Sequence, residues 1–395
     1  MIVVDGVARR IPLEAAPIRT GPGEFDLLES SYDNAGNIIH AEAPFSLWDD
    51  ASGFVVDGRD YRRRTNAGFD ETIDFANRHA THFVLSATNF LQFEGESPAR
   101  RESYKRLMRS LDRLEIRLVV MGLGVQAQRR WNPKLHRLPA EAIEFMSFLG
   151  EKCSYIGLRG EFSASIFRDY AGVKNTRVIG CPSFFQRPES FTELRAFLSG
   201  TRHGSVSFNA TNLNKPAEFD LARRAIDEDS FWVEVSNESL HRLALNSRVN
   251  PELAEVPAAL RPLIAGSTPV IRRKHLVSYF SRRYRRFRDF APWWQFNREE
   301  VRFSYGTRFH GNMATLLAGR PALWVTHDSR TLELATTLHL PAVSLTQALE
   351  SSTADLEAAT NYEATFDNVE RLFHRFNDFL AENDLPVVQR PFVTG

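Results

Sequence analysis

Residues 301–312 read Val-Arg-Phe-Ser-Tyr-Gly-Thr-Arg-Phe-His-Gly-Asn. The first five carry a strand pattern, Gly306 permits a tight turn, and a helical pattern opens near Arg308 and runs to about residue 318. Outward from this junction, strands at 205–209, 231–235 and 321–325 alternate with helices at 219–226 and 331–338 and with helical segments through about 264. Strands separated by helices of this length need right-handed crossovers, and therefore a parallel sheet covered on both faces.

The same alternation fills residues 82–179. Strands are expected at 82–86, 116–121, 154–158 and 176–179, and helices at 101–114, 140–149 and 161–170. Pro182, Pro188 and the polar stretch to Gly204 read as a link between the two units. The expected class is α/β, with two Rossmann-like doubly wound domains over 1–190 and 191–345 and a helical tail over 346–395. In the tail, Phe366, Val369, Phe373, Phe376 and Leu380 recur at three- and four-residue spacing, which makes one apolar face of an amphipathic helix packed on the domains.

Composition narrows the function classes. Formal net charge is zero, so no bulk field draws the chain to nucleic acid or to a membrane. All but six of the 49 basic residues are Arg. The planar arginine fork suits phosphate and carboxylate, although genome composition produces the same bias. Cys153 and Cys181 are too few for a disulfide framework or a Cys-rich metal centre, and both read as small buried hydrophobes. No metal-ligand cluster is legible, so no metal is expected. The N-terminus lacks a signal-peptide pattern, and no apolar run approaches the roughly 18 residues of a membrane span. A cytoplasmic chain is expected, at most peripheral to the inner face of the membrane.

Ligands of open parallel sheets bind beyond the carboxyl ends of the strands, where strand order reverses. At Gly306-Thr307-Arg308-Phe309-His310-Gly311-Asn312 a helix start offers backbone N–H groups to an anion. Arg308 can add a bidentate clamp, His310 can hydrogen-bond or transfer a proton, and Gly311 leaves room. Arg159 also follows a strand and opens a helix, where an anion or Glu161 would relieve its conflict with the dipole. Met121-Gly-Leu-Gly-Val-Gln126 is either a close approach to ligand, with Gln126 beside it, or a plain turn. Asp328 is a base, an orienting partner for His310, or a helix cap. The polar turn Asp33-Asn34-Ala-Gly36-Asn37 fits an acceptor contact or an ordinary cap. The basic and aromatic run from Arg272 to Arg288 is a solvated face or a contact to an anionic surface.

Taken together, these junctions resemble the polysaccharide pyruvyl transferase family. The resemblance rests on Gly306–Gly311, Leu317-Ala-Gly-Arg-Pro321 and His327-Asp-Ser-Arg-Thr-Leu-Glu-Leu334. It is supported by Leu158–Ser163, by Ile179-Gly-Cys-Pro182 and by Gly36-Asn37, and it covers about residues 30–345. It implies a glycosyltransferase-B-like pair of domains facing a cleft. It also implies transfer of the enolpyruvyl unit of phosphoenolpyruvate to a sugar of a polysaccharide or its lipid-linked precursor, as in exopolysaccharide biosynthesis, with no cofactor. Arg308 and His310 would meet the donor from one domain and Arg159 from the other, with Thr307, Gly306, Gly311 and Asn312 around them and Asp328 or Asp33 as base. Two positions depart from the commoner pattern: Gly160 stands where an acid often follows the arginine, and Cys181 where an Asp often precedes the proline.

Two other readings fit the same architecture. A nucleotide-sugar glycosyltransferase would hold a diphosphate on Arg308. A non-catalytic glycan-binding relative would have Arg308 and Arg159 paired with internal carboxylates.

Overall fold

The computed structural model describes residues 1–395 except 7–8, 10–14, 22–23, 30–33, 49–53, 93–96, 127–137, 266–268 and 389–395. Fifteen strands are described: β1 Ile2–Gly6, β2 Ala15–Gly21, β3 Glu24–Glu29, β4 Val55–Asp57, β5 His82–Ser86, β6 Asn89–Gln92, β7 Arg117–Gln126, β8 Ile156–Leu158, β9 Thr176–Val178, β10 Ser205–Asn209, β11 Phe231–Val233, β12 Tyr284–Arg285, β13 Val301–Gly306, β14 Ala322–Thr326 and β15 Ala342–Ser344. Five helices bear on the site and are labelled here: α1 Gly36–Trp48, α2 Glu161–Ala171, α3 Phe309–Leu316, α4 Ser329–Thr337 and α5 Glu363–Glu382.

The first sheet runs β4-β1-β5-β7-β8-β9, with β6 beside β7. Every pairing in it is parallel. The second runs β12-β11-β10-β13-β14-β15, again all parallel. Strand order reverses between β1 and β5 in the first sheet and between β10 and β13 in the second. The physical reason is visible in β7 and β14. Leu118 to Val125 and the whole of β14 are buried, which requires helices on both faces and an unbroken apolar run rather than alternation.

Several strands lie outside the sequence reading, β1 and its neighbour β4 among them. β1 is a short Ile-Val-Val-Asp-Gly run at the very start of the chain, and it pairs with both β4 and β5. A two-stranded antiparallel hairpin, β2–β3, follows it. The expected link is also more ordered than its prolines suggest, because it contains a helix, Glu189–Ser199, whose Phe191 and Leu194 are buried.

Helix α5 joins the two halves. Val369, Phe373, Phe376 and Leu380 are buried, with Phe366 packed partly against the same core. Phe376 stacks on Phe185 with ring centroids 4.2 Å apart. The residue before α5, Tyr362, donates its hydroxyl to the Ala322 carbonyl of β14 at 2.8 Å. Beyond its middle, Arg177 of β9 grips Glu382 through two bonds of 2.7 and 2.6 Å, and Trp48 donates to the Pro386 carbonyl at 2.9 Å. The tail thus starts on the second sheet and ends on the first, sharing one apolar cluster with both.

Candidate active site between the two sheets

The centre of the site is the β13–α3 junction, at the switch point of the second sheet. Gly306 has φ +149°, and a Cβ there would sit 1.9 Å from the Asn209 carbonyl oxygen, so only glycine lets β13 pass the end of β10. Beyond it the Arg308 N–H donates to Asn209 Oδ1 at 2.9 Å. Arg308 occupies the N-cap position of α3 and no side chain caps the helix. Its first-turn N–H groups meet no capping side chain.

The Arg308 side chain is held by neutral oxygens. Nε donates to the Ala210 carbonyl at 2.9 Å, Nη2 donates to the Thr211 carbonyl at 3.3 Å and to the Ser236 hydroxyl. Burial lowers its pKa, with the Glu234 carboxylate opposing. Arg159, almost fully buried at the end of β8, donates from Nε to the Gly122 carbonyl at 2.9 Å. Burial pulls its pKa down to about 10, and Cys181 opposes. Both guanidinium groups, one from each domain, line a single cavity of about 200 Å³. A third, Arg330 of α4, lines it as well and lowers the pKa of each of the other two. Arg330 was not singled out in the sequence; its signal was its place two residues after Asp328, in the first turn of a helix that follows a strand.

The start of α1 closes the cavity. Asn34, Gly36 and Asn37 line it, and the Ala35 N–H donates across the domains to the Val235 carbonyl at 2.7 Å. A Cβ on Gly36 would lie 3.1 Å from a Val235 methyl and 3.3 Å from His310 Cβ, so glycine permits this approach. His310 and Gly311 are also in the lining. Burial, then His40, Arg159 and Arg330, hold the His310 pKa well below the ordinary value. Its Nε2 lies 3.3 Å from Cys181 Sγ.

Several expected ligand contacts belong to the scaffold instead. Thr307 is buried, donates to Glu218 Oε2 at 2.8 Å and accepts from the Thr211 N–H at 2.9 Å. Asn312 is fully buried: Oδ1 accepts from Asn209 Nδ2 and Ser304 Oγ, and Nδ2 donates to the Gly306 and Leu323 carbonyls. All four of its hydrogen-bonding positions are used, so it locks β10, β13 and β14 together and has none left for substrate. Asp328 caps α4 by accepting from the Thr331 N–H and hydroxyl, each at 2.8 Å, and lies 3.7 Å from Arg330 Nε and from His327 Nε2. Asp33 lies outside the described residues. Gln126 ends β7 and is not among the residues lining the cavity.

The Gly122-Leu-Gly124 segment is not a plain turn, since β7 continues through it, and neither glycine lines the cavity. A Cβ at Gly124 would lie 2.5 Å from Arg159 Cδ, and one at Gly122, where φ is +77°, 2.7 Å from His40 Cε1. The two glycines make room for side chains of the site. Gly160 has a similar reason. A Cβ there would meet Glu333 Cγ at 2.3 Å, and Glu333 crosses from α4 to the start of α2, where Ser163 donates from its backbone N at 2.6 Å and from its hydroxyl at 3.0 Å.

The basic run from Arg272 to Arg288 is engaged within its own domain. Arg282 and Arg283 pair with Asp229, Arg273 donates to the carbonyls of Pro251, Glu252 and Ala254, and Arg285 lies over the rings of Phe231 and Phe296. Among the described residues no helix is long and apolar enough to cross a membrane.

A structural comparison finds a chain provisionally named a UDP-N-acetylglucosamine 2-epimerase from Listeria monocytogenes, 10% identical, covering 100% of this chain and 99% of that one, with a TM-score of 0.44. It also finds the Methanocaldococcus jannaschii UDP-GlcNAc 2-epimerase, at 8% identity, 94% and 99% coverage and a TM-score of 0.41. A third is a UDP-forming α,α-trehalose-phosphate synthase from Burkholderia vietnamiensis, at 12% identity, 97% coverage of both chains and a TM-score of 0.41. At these scores the likeness adds nothing to the strand orders above. Comparison with curated proteins gives no match. The polysaccharide pyruvyl transferase family profile matches residues 56–329, well over half of the chain and including Arg159, Cys181, Arg308 and His310. The chain, with three arginines gathered at the open start of α3, therefore belongs to the polysaccharide pyruvyl transferase family, a family of transferases.

Proposed function

We propose that this protein transfers the enolpyruvyl unit of phosphoenolpyruvate to two hydroxyls of a sugar, in a polysaccharide or its lipid-linked precursor, to give a pyruvate ketal and inorganic phosphate. The observation that carries this reading is the meeting of Arg159 and Arg308, one from each domain, with Arg330 in one small cavity at an uncapped helix start. Arg308, largely buried and donating to two carbonyls and a hydroxyl, is a poorly compensated cation. A compact anion bearing both carboxylate and phosphate supplies the missing charge through charge-assisted bonds.

The chemistry follows from that charge arrangement. A proton adds to the methylene carbon of the donor, leaving C2 electron-deficient. One sugar hydroxyl bonds to C2, the bond from C2 to the phosphate oxygen breaks, and the second hydroxyl closes the ring. One hydroxyl proton balances the proton taken up by the new methyl group, and the other leaves with phosphate. Arg159, Arg308 and Arg330 stabilise carboxylate and departing phosphate as charge builds there. With Nε2 of His310 turned to Cys181, the nitrogen left to address the phosphate is Nδ1, as a donor.

Cavity size weighs against a nucleotide sugar. About 200 Å³ falls below the roughly 300–1,000 Å³ usual for larger organic ligands. The test is incubation with phosphoenolpyruvate and candidate glycans. Phosphate release that needs both, with a ketal methyl resonance in the product, supports the reading. Phosphate release without ketal, or transfer from a nucleotide sugar, overturns it.

A further inference from the structure

Beside the anion cavity that His310 lines, three side chains from distant parts of the chain meet. His40 comes from α1, Cys181 from the turn after β9, and His310 from the first turn of α3. Cys181 Sγ lies 3.4 Å from His40 Nδ1 and 3.3 Å from His310 Nε2. One ligand-type atom from each falls within 4.8 Å of the others. We propose that His40, Cys181 and His310 form a binding site for a zinc-like divalent cation, with its fourth position directed to the anion cavity that His310 lines.

Three observations carry this. First, the spacing suits a tetrahedral centre. Bonds of about 2.3 Å to sulfur and 2.0–2.1 Å to nitrogen, opened to near-tetrahedral angles, separate S from N by roughly 3.3–3.6 Å, and both S···N distances fall at that spacing. Second, the present partners are inadequate. His40 and Cys181 are fully buried, yet among the described residues the sulfur is the one hydrogen-bond contact of His40 Nδ1. A thiol is a weak partner for a buried imidazole, and a cation would replace that contact with coordinate bonds. Third, the sulfur has outer support: Ser183 Oγ, also fully buried, lies 3.0 Å from Cys181 Sγ, where it can donate to a thiolate as the second shells of metal centres do.

The donor set itself points to a borderline-soft metal. One thiolate and two imidazoles favour zinc over magnesium or calcium, which take oxygen ligands. Three protein ligands with an open position are the arrangement of catalytic rather than structural zinc. A metal on Nε2 of His310 would also fix Nδ1 as the protonated nitrogen. The site stands independently of the donor assigned above.

The test uses the full chain, stripped with a chelator and titrated with Zn(II) and separately with Co(II). The expected result is a single saturable equivalent, with a thiolate-to-cobalt charge-transfer band and the strong d–d bands of four-coordination. Cys181→Ser should lose the charge-transfer band, and His40→Ala should lose the bound equivalent, while Cys153→Ser keeps both. Circular dichroism reports whether each variant folds, and the wild-type and Cys153→Ser spectra decide the matter even where another variant does not. No saturable binding by wild type, a cobalt spectrum without the thiolate band, or a band that follows Cys153 would each overturn the proposal.

Discussion

Glu333 of α4 reaches across the domain boundary and takes two hydrogen bonds from Ser163 at the start of α2, at 2.6 Å from the backbone N and 3.0 Å from the hydroxyl. A carboxylate from the second domain thereby completes the N-terminus of a helix in the first. Arg159 immediately precedes the same helix, so the contact ties the second domain to the segment that carries it.

Burial raises the Glu333 pKa to about 7, above an unfolded value near 4.5. The protonated form is therefore favoured by the folded state. Its contribution to stability is fully present below about pH 4.5 and is lost as pH rises through about 7. Thermal melts across this window should show wild type losing stability relative to Glu333→Gln as pH increases. Parallel pH profiles for the two proteins would contradict the assignment.

Gly160→Ala should open this contact. The added methyl carbon would sit 2.3 Å from Glu333 Cγ and 2.7 Å from Thr337 Oγ1. Overpacking of this kind costs about 1–3 kcal/mol, read as a lower midpoint in denaturant. The backbone itself is extended at this position, so a neutral result would mean that Glu333 moves aside at no cost.

Asn312→Leu should destabilise without touching the ligand. The substitution strands Asn209, Ser304 and two carbonyls in the core, at a cost of at least about 2 kcal/mol. Phosphoenolpyruvate affinity of the folded fraction should hold. A large fall in affinity with normal stability would instead make Asn312 a ligand contact.

The parallel sheets were legible because their strands and helices are long enough to show their periods, as at 205–209 and 161–170. β1 was not, because it stands outside the strand–helix alternation: an antiparallel hairpin, β2–β3, follows it. At the site, local signals exposed residues of two strand-to-helix junctions, Arg159 in one and Arg308 and His310 in the other. They also drew in Thr307 and Asn312, whose polarity serves the scaffold, since sequence does not reveal what a polar side chain faces. Residues brought together by the fold, Glu333 on Ser163 and His40 beside Cys181, had no local signal. Two positions did give a hint: Gly160 and Cys181 departed from the expected pattern, and each lies against one of these unseen partners.

Arg330→Ala should weaken anion binding while leaving Arg159 and Arg308 in place. Its Nε makes no hydrogen bond and sits 3.7 Å from Asp328, so it is the arginine least committed to the scaffold. A loss of about tenfold in phosphoenolpyruvate affinity, or 1.4 kcal/mol, should appear with unchanged thermal stability. An unchanged affinity would limit the anion contacts to the other two arginines.

The most direct test of the central claim is calorimetric titration of the full chain with phosphoenolpyruvate, for wild type and Arg308→Ala. Losing its charge-assisted bonds should weaken binding by about 2–4 kcal/mol, with the folded state intact by circular dichroism. Equal affinities in the two proteins, or no binding by wild type, would contradict the assignment of this cavity to the donor.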